Sequence, residues 1–215
     1  TTGSTSTAAT PLNGWLGPWT VPGDYVYTQG GYGAATEAMY TTLAGSDLSY
    51  SATYEETCST STGGCIQGGP SGHGMTDGDF FGVTDYTGSG VGAYTDGTQG
   101  YQMSDTEGWA HLTFDPISDA DLVSFDLFVN STGWETSDTI KAVWHSSSGS
   151  FDILNTTGVD IDSLTLEGVW TTISSVIPSG TSGYLSISFQ SNTAAEAIFI
   201  DNVVFSSDGL NVDDD

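Results

Sequence analysis

AIFIDNVVF, residues Ala197–Phe205, is the stretch on which the fold turns. Side chains along a β-strand point alternately to its two faces. Strict alternation puts Phe199, Asp201, Val203 and Phe205 on one face and Ile198, Ile200 and Val204 on the other. Both faces are apolar, so the strand is expected in the middle of a sheet with cover on both sides. Asp201 is the exception, an acid in an interior that disfavours charge.

The neighbouring segments repeat the strand signal. Leu122–Asn130 (LVSFDLFVN) places Val123, Phe125, Leu127 and Val129 on one face, and Tyr184–Gln190 (YLSISFQ) places Leu185, Ile187 and Phe189 together. Ile140–Trp144, Phe151–Leu154 and Val169–Ile177 are further candidates, separated by turns such as SSSGS and PSGTSG. Only Ala34–Leu43 has the composition of a short helix. Many short strands punctuated by glycine predict an all-β chain, an antiparallel β-sandwich of jelly-roll type, with a closed barrel as the alternative. Four parts are expected: a Thr/Ser-rich linker over 1–10, an N-terminal arm or hairpin over 11–47, the sandwich over 48–206 and an acidic tail over 207–215. The stretch Cys58–Gly100 is crowded with glycine, buries little side-chain area on this reading, and is expected to form long ordered loops at one end or edge.

The chain has 215 residues, 27 acids and one basic residue, Lys141, for a net charge of -26. Nucleic-acid binding needs clustered Lys and Arg, so it is excluded as a function. No run approaches the 18 apolar residues of a membrane span, which argues against membrane insertion. With 6 Trp, 10 Tyr and 9 Phe, aromatic rings supply the core that leucine does not. Twenty of the acids are Asp, and their mutual repulsion calls for salt or divalent cations, as in an extracellular setting. The chain begins TTGSTSTAAT and reads as a mature or excised segment of a secreted protein. Cys58 and Cys65 enclose a short Ser/Thr/Gly loop suited to a local disulfide, with free thiols as the alternative. Asn130 and Asn155 open N-x-S/T glycosylation sequons.

With one lysine in the chain, a salt bridge is not the expected remedy for a buried Asp201. Backbone N–H donors or a hard cation with oxygen ligands remain, and an Asp-rich chain favours Ca2+. Asp77 and Asp79 in TDGDFF and Asp105 and Glu107 in SDTEG sit on glycine-rich loops and are the next candidate ligands. His73, His111 and His145 are scattered, without zinc-site spacing. Glu135 and Asp138 in GWETSD invite comparison with a glycosidase acid/base pair, but 27 acids make such proximity weakly informative, and no catalytic residue is assigned. Tyr94, Tyr101, Trp109 and Trp134, flanked by glycine or polar residues, are candidate platforms for sugar rings.

IFIDNVVF together with YEET (Tyr54–Thr57), and between them DGDFFGVTD, DGTQGYQMSDTEGWAHLTFDPI and SFDLFVNSTGWETSDTIKAVW, resemble the galactose-binding-like jelly-roll superfamily, which includes many carbohydrate-binding modules. The resemblance covers roughly residues 50–205. It implies a structural calcium ion held by an acid of the first strand, Glu55 or Glu56, and by Asp201. The function expected is that of a secreted, calcium-stabilised, non-catalytic domain for carbohydrate binding or for cell-surface or matrix attachment. A filament or coat subunit that pairs with copies of itself is the first alternative, and a polysaccharide hydrolase or lyase the second.

Overall fold

The computed structural model describes residues 11–12, 20–22, 26–28, 50–55, 80–84, 86–104, 106, 109–118, 120–178, 182–191, 193 and 195–206. For 11–12, 20–22, 26–28, 51–55 and 80–84 the description is of the backbone. The expected helix Ala34–Leu43, the Cys58–Cys65 pair, His73 and the ligand candidates Glu56, Asp77, Asp79, Asp105 and Glu107 lie outside the described residues, as do 1–10 and 207–215.

The alternating segments form strands, and the strands form two layers. Ahead of the main body come β1 (Pro11–Leu12), β2 (Thr20–Pro22), β3 (Val26–Thr28), β4 (Tyr50–Glu55) and β5 (Phe80–Thr84). The main body holds β6 (Gly100–Ser104), β7 (Trp109–Phe114), β8 (Leu122–Val129), β9 (Thr139–Ser146), β10 (Gly149–Asn155), β11 (Trp170–Val176), β12 (Gly183–Gln190) and β13 (Ala197–Ser206). One sheet has seven strands in the order β1-β3-β5-β6-β13-β8-β11, and the other has six in the order β10-β9-β12-β7-β4-β2. Among the described strands β1 and β3 pair in parallel and the other pairs are antiparallel.

The pairing is nested. Strand β9 pairs with β10, β8 with β11, β7 with β12 and β6 with β13, as in one long hairpin rolled over itself. This produces the four-strand orders β6-β13-β8-β11 and β7-β12-β9-β10, the jelly roll expected from the strand pattern. Among the described residues no helix is long and apolar enough to cross a membrane.

Alternation fills the space between the sheets. Val123, Phe125, Leu127 and Val129 of β8 meet Leu112 of β7, Trp144 of β9, and Leu185, Ile187 and Phe189 of β12 in one cluster. Rings make the longer contacts: Phe205 lies 6.3 Å from Phe114 and 6.2 Å from Trp144. Each such side chain, fully buried, contributes about 1.5–3 kcal/mol. Gly183 has to be glycine, since a Cβ there would overlap the Trp144 ring and the His145 carbonyl.

Strand β13 departs from strict alternation. Its register against β8 shifts between Asp201 and Val204, and Asn202 takes a left-handed φ of 49°. This β-bulge reverses the phase of the strand. Ile198 and Ile200 face the core before it, Val203 and Phe205 after it. Phe199 and Asp201 are left on the outer face, and Val204, expected with the isoleucines, is only half-buried.

The outer face of β13 is covered by a strap, residues 86–99. Val91 and Tyr94 pack on Phe128, Ala197 and Phe199, with Tyr86 and Trp170 at the margin. Trp170 Nε1 donates to the Val91 carbonyl at 2.9 Å, and the Tyr94 hydroxyl donates to the Tyr86 carbonyl at 2.8 Å. Gly100 lets the strap approach, because a Cβ there would stand 2.7 Å from the Ile200 carbonyl oxygen and from the Tyr94 ring. Contrary to the expectation for Cys58–Gly100, residues 86–99 bury substantial side chains. Glycine lowers the number of buried side chains, but a few large ones are enough to close a second small core over the sheet.

The bulge residue supplies a test. Asn tolerates a positive φ better than other non-glycine residues, and Asn202 Nδ2 also donates to Asp126 Oδ2 at 3.0 Å. Asn202→Val should cost about 1–3 kcal/mol in urea unfolding, and Asn202→Gly, which keeps the backbone conformation and loses only the hydrogen bond, should cost less. Equal losses would place the cost in the hydrogen bond and not in the bulge.

Candidate functional site

Asp201 is fully buried on the outer face of β13, beneath the strap. Its Oδ2 accepts hydrogen bonds from Thr95 N at 2.8 Å, Thr95 Oγ1 at 3.1 Å and Asp96 N at 2.8 Å, and its Oδ1 accepts from Asn202 N at 2.8 Å. Burial pushes its pKa up to about 6, against the pull of these donors towards the charged form. Directly across the ladder, Asp126 accepts from Thr172 Oγ1 at 2.6 Å and from Asn202 Nδ2. A calcium ion needs converging oxygens, and the groups converging on Asp201 are N–H and O–H donors. Among the described residues its surroundings thus suit an anion held by N–H and O–H donors and supply no converging oxygen ligands. Glu55 stands in β4 of the other sheet, in register with Trp109.

Oxygen atoms do converge elsewhere. One carboxylate oxygen each from Glu135, Asp138 and Glu196 lie within 4.8 Å of one another. Asp138 and Glu196 are each 1% exposed, whereas Glu135 faces solvent. Asp138 closes a turn by accepting from Glu135 N at 2.7 Å. Its pKa is raised, first by burial and then by the Glu135 carboxylate, against the pull of that backbone hydrogen bond. Glu135 and Asp138 are adjacent by virtue of the turn; Glu196 is 58 positions on from Asp138, and only the jelly-roll closure of β13 beside β8 brings it there. Glycosidase carboxyl groups stand about 5–5.5 or 6.5–9.5 Å apart across a sugar. Asp138 is buried against the backbone of its own neighbour, an arrangement that leaves no sugar-sized gap between the two acids.

Three of the four expected sugar platforms are interior residues. Tyr94 belongs to the strap core, Tyr101 packs edge-on to Tyr50 at 5.6 Å, and Trp134 packs on Phe189 while its Nε1 donates to the Asn130 carbonyl at 2.9 Å. With relative exposures of 8%, 5% and 4% they have no free ring face. A sandwich poor in leucine uses these rings to fill its interior. Asn130 is likewise buried, with Nδ2 donating to the Ala195 carbonyl at 3.1 Å, so in the folded protein it is no glycan acceptor. Asn155 is exposed and remains accessible.

Trp109 is the platform candidate left on the surface. It lies on the outer face of the six-stranded sheet, which presents half-buried polar and aromatic side chains and has no strap among the described residues. Trp109 and His111, two positions apart on β7, hold their rings nearly parallel, at 13° and 6.1 Å. Ser188 of β12 is in register with both His111 and Lys141 of β9, and its Oγ is 2.7 Å from His111 Nδ1. Lys141 Nζ reaches back over the Trp109 ring, 5.1 Å from its centroid. These four residues line a shallow pocket of about 160 Å³. Further along the same face His145 stacks on Tyr184 at 4.6 Å and shares hydrogen bonds with Ser150 and Ser186. Sequence reading singled out Trp109 alone; the register of β7, β12 and β9 adds His111, Ser188 and Lys141.

No protein-family model and no curated protein matches the chain. Among solved structures it is similar to the K2 adhesin domain of Lys-gingipain, with TM-score 0.38, 16% identity, and 52% of this chain and 74% of that one covered. It is similar to a carbohydrate-binding module of the β-sandwich superfamily, with TM-score 0.36, 16% identity, and 57% of this chain and 52% of that one covered. A module specific for non-crystalline cellulose matches with TM-score 0.31 and 16% identity over 58% of this chain and 87% of its own.

The buried acids set a pH dependence. Asp201 and Asp138 both have folded pKa values above the ordinary 3.8, so the folded chain binds their protons more tightly than the unfolded chain does. Their contribution is most favourable at acidic pH and is lost as pH rises through about 6, the folded value for Asp201. His145, whose pKa burial lowers, acts in the opposite sense. The urea midpoint should be higher at pH 5.0 than at pH 7.5, and Asp138→Asn should raise the midpoint at pH 7.5 and shrink the difference. A variant with the wild-type pH profile would remove Asp138 from this account.

Proposed function

We propose that this protein is a non-catalytic, extracellular carbohydrate-binding domain that holds a glycan on the outer face of its six-stranded sheet. The observation that carries this reading is Trp109, a large, partly exposed aromatic ring lining a pocket with His111, Lys141 and Ser188. A sugar presents a C–H face to such a ring and hydroxyls to its polar neighbours; Lys141 at the ring supplies N–H donors, while His111 and Ser188 bond each other beside it. The other sheet is closed to ligands where the strap lies on it. The Asp-rich surface supports the extracellular part of the reading, since salt or divalent cations relieve its repulsion there.

Trp109→Ala should weaken glycan binding, measured by affinity electrophoresis or calorimetry against a panel of oligosaccharides, by at least about tenfold, while changing the melting temperature little. Undiminished binding in this variant would move the site off this face. Calcium stabilisation belongs to the same proposal, with ligands other than Asp201. Melts with EDTA and with millimolar calcium should then differ by several degrees, and by the same amount in Asp201→Asn. A calcium increment abolished in that variant would return the ion to Asp201.

A further inference from the structure

Lys141 is the single basic residue of a chain with 27 acids, and among the described residues it makes no ion pair. Its ammonium instead stands over the Trp109 ring, at the pocket shared with His111 and Ser188. In a protein of net charge -26, the charge of its single lysine thus lies at a shallow pocket of about 160 Å³. Lysine is strongly hydrated, and held half-buried against a ring with no carboxylate partner among the described residues, it can offer its charge to an incoming anion. His111 and Ser188 add polar atoms beside it, with Ser188 in register between His111 and Lys141.

Resting on the carbohydrate-binding reading above, we propose that the sugar seated in this pocket is a uronic acid, with its carboxylate on Lys141. A carboxylate bonded directly to the pyranose ring keeps its charge at the edge of that ring. A ring placed beside Trp109 and His111 then brings the carboxylate within reach of the Lys141 ammonium, where it accepts a charge-assisted hydrogen bond. The overall negative charge of the protein opposes an acidic polymer at long range. At about 0.15 M salt the Debye length is about 8 Å, so distant acids are screened while the direct contact with Lys141 is screened much less.

The test compares oligogalacturonate with the same oligomer fully methyl-esterified, alongside a neutral cello-oligosaccharide and a sulfated galactan oligosaccharide. Binding is measured at 0.15 M NaCl on wild type, Lys141→Met and Trp109→Ala, each first checked by its melting curve. Methionine keeps the length and apolar stem of the side chain and removes the charge. The proposal expects oligogalacturonate to bind at least about tenfold more tightly than its ester, with that advantage lost in Lys141→Met and binding of both lost in Trp109→Ala. Equal binding of acid and ester, or of cello-oligosaccharide alone, lost in Trp109→Ala but unchanged in Lys141→Met, overturns the uronate assignment and leaves the carbohydrate site standing. Preference for the sulfated oligosaccharide also overturns it. No binding of any of the four overturns both readings.

Discussion

A strand buried on both faces needs two covers, and much of this molecule follows from that demand on β13. Its inner face is covered by the opposite sheet, as in any sandwich. Its outer face carries Phe199 and Asp201, and the covering comes from the strap, whose Tyr94 and Val91 close over Phe199 while Thr95 and Asp96 turn their N–H groups to the acid. An ionised group at this depth cannot be left to water, and the chain has almost no cations to offer. Peptide N–H groups supply the compensation, so the path of the strap and the charge of Asp201 define each other.

The two sheets consequently have different outer surfaces. The seven-stranded sheet is insulated by the strap and by Trp170, which is bonded to it. On the six-stranded sheet no described residue forms such a cover, and residues of three adjacent strands line up on its outer face at the same level. Register alone sets Ser188 beside both His111 and Lys141. A site built on sheet ladders is held more rigidly than one built on loops, and a flat ring such as Trp109 needs that support to present its face.

The sandwich was readable because alternation, turn composition and aromatic content all pointed the same way. The segments Leu122–Asn130 and Tyr184–Gln190 place their apolar residues in the core as their spacing indicates. The phase of β13 was not readable beyond Asp201, because a single left-handed Asn202 inverts it and no period-two rule anticipates a bulge. The aromatics failed for a related reason: glycine neighbours suggested exposure for Tyr94 and Tyr101, yet Gly100 is what lets the Tyr94 ring pack closely. Long-range placement was out of reach altogether. Nothing local to Glu196 signals Glu135 and Asp138, and nothing local to Lys141 signals Trp109.

Asn130 occupies a sequon and is at the same time a strut of the fold, tying β8 to the segment before β13 through the Ala195 carbonyl and holding Trp134 through its own. The two roles exclude each other in time. A glycan fixed at Asn130 before folding would block the final closure of the roll, because this side chain is buried and bonded to the Ala195 carbonyl. Production in a host that glycosylates asparagine therefore selects between two populations, one modified and unable to close, the other closed and unmodified, whereas a host without that machinery delivers a single species.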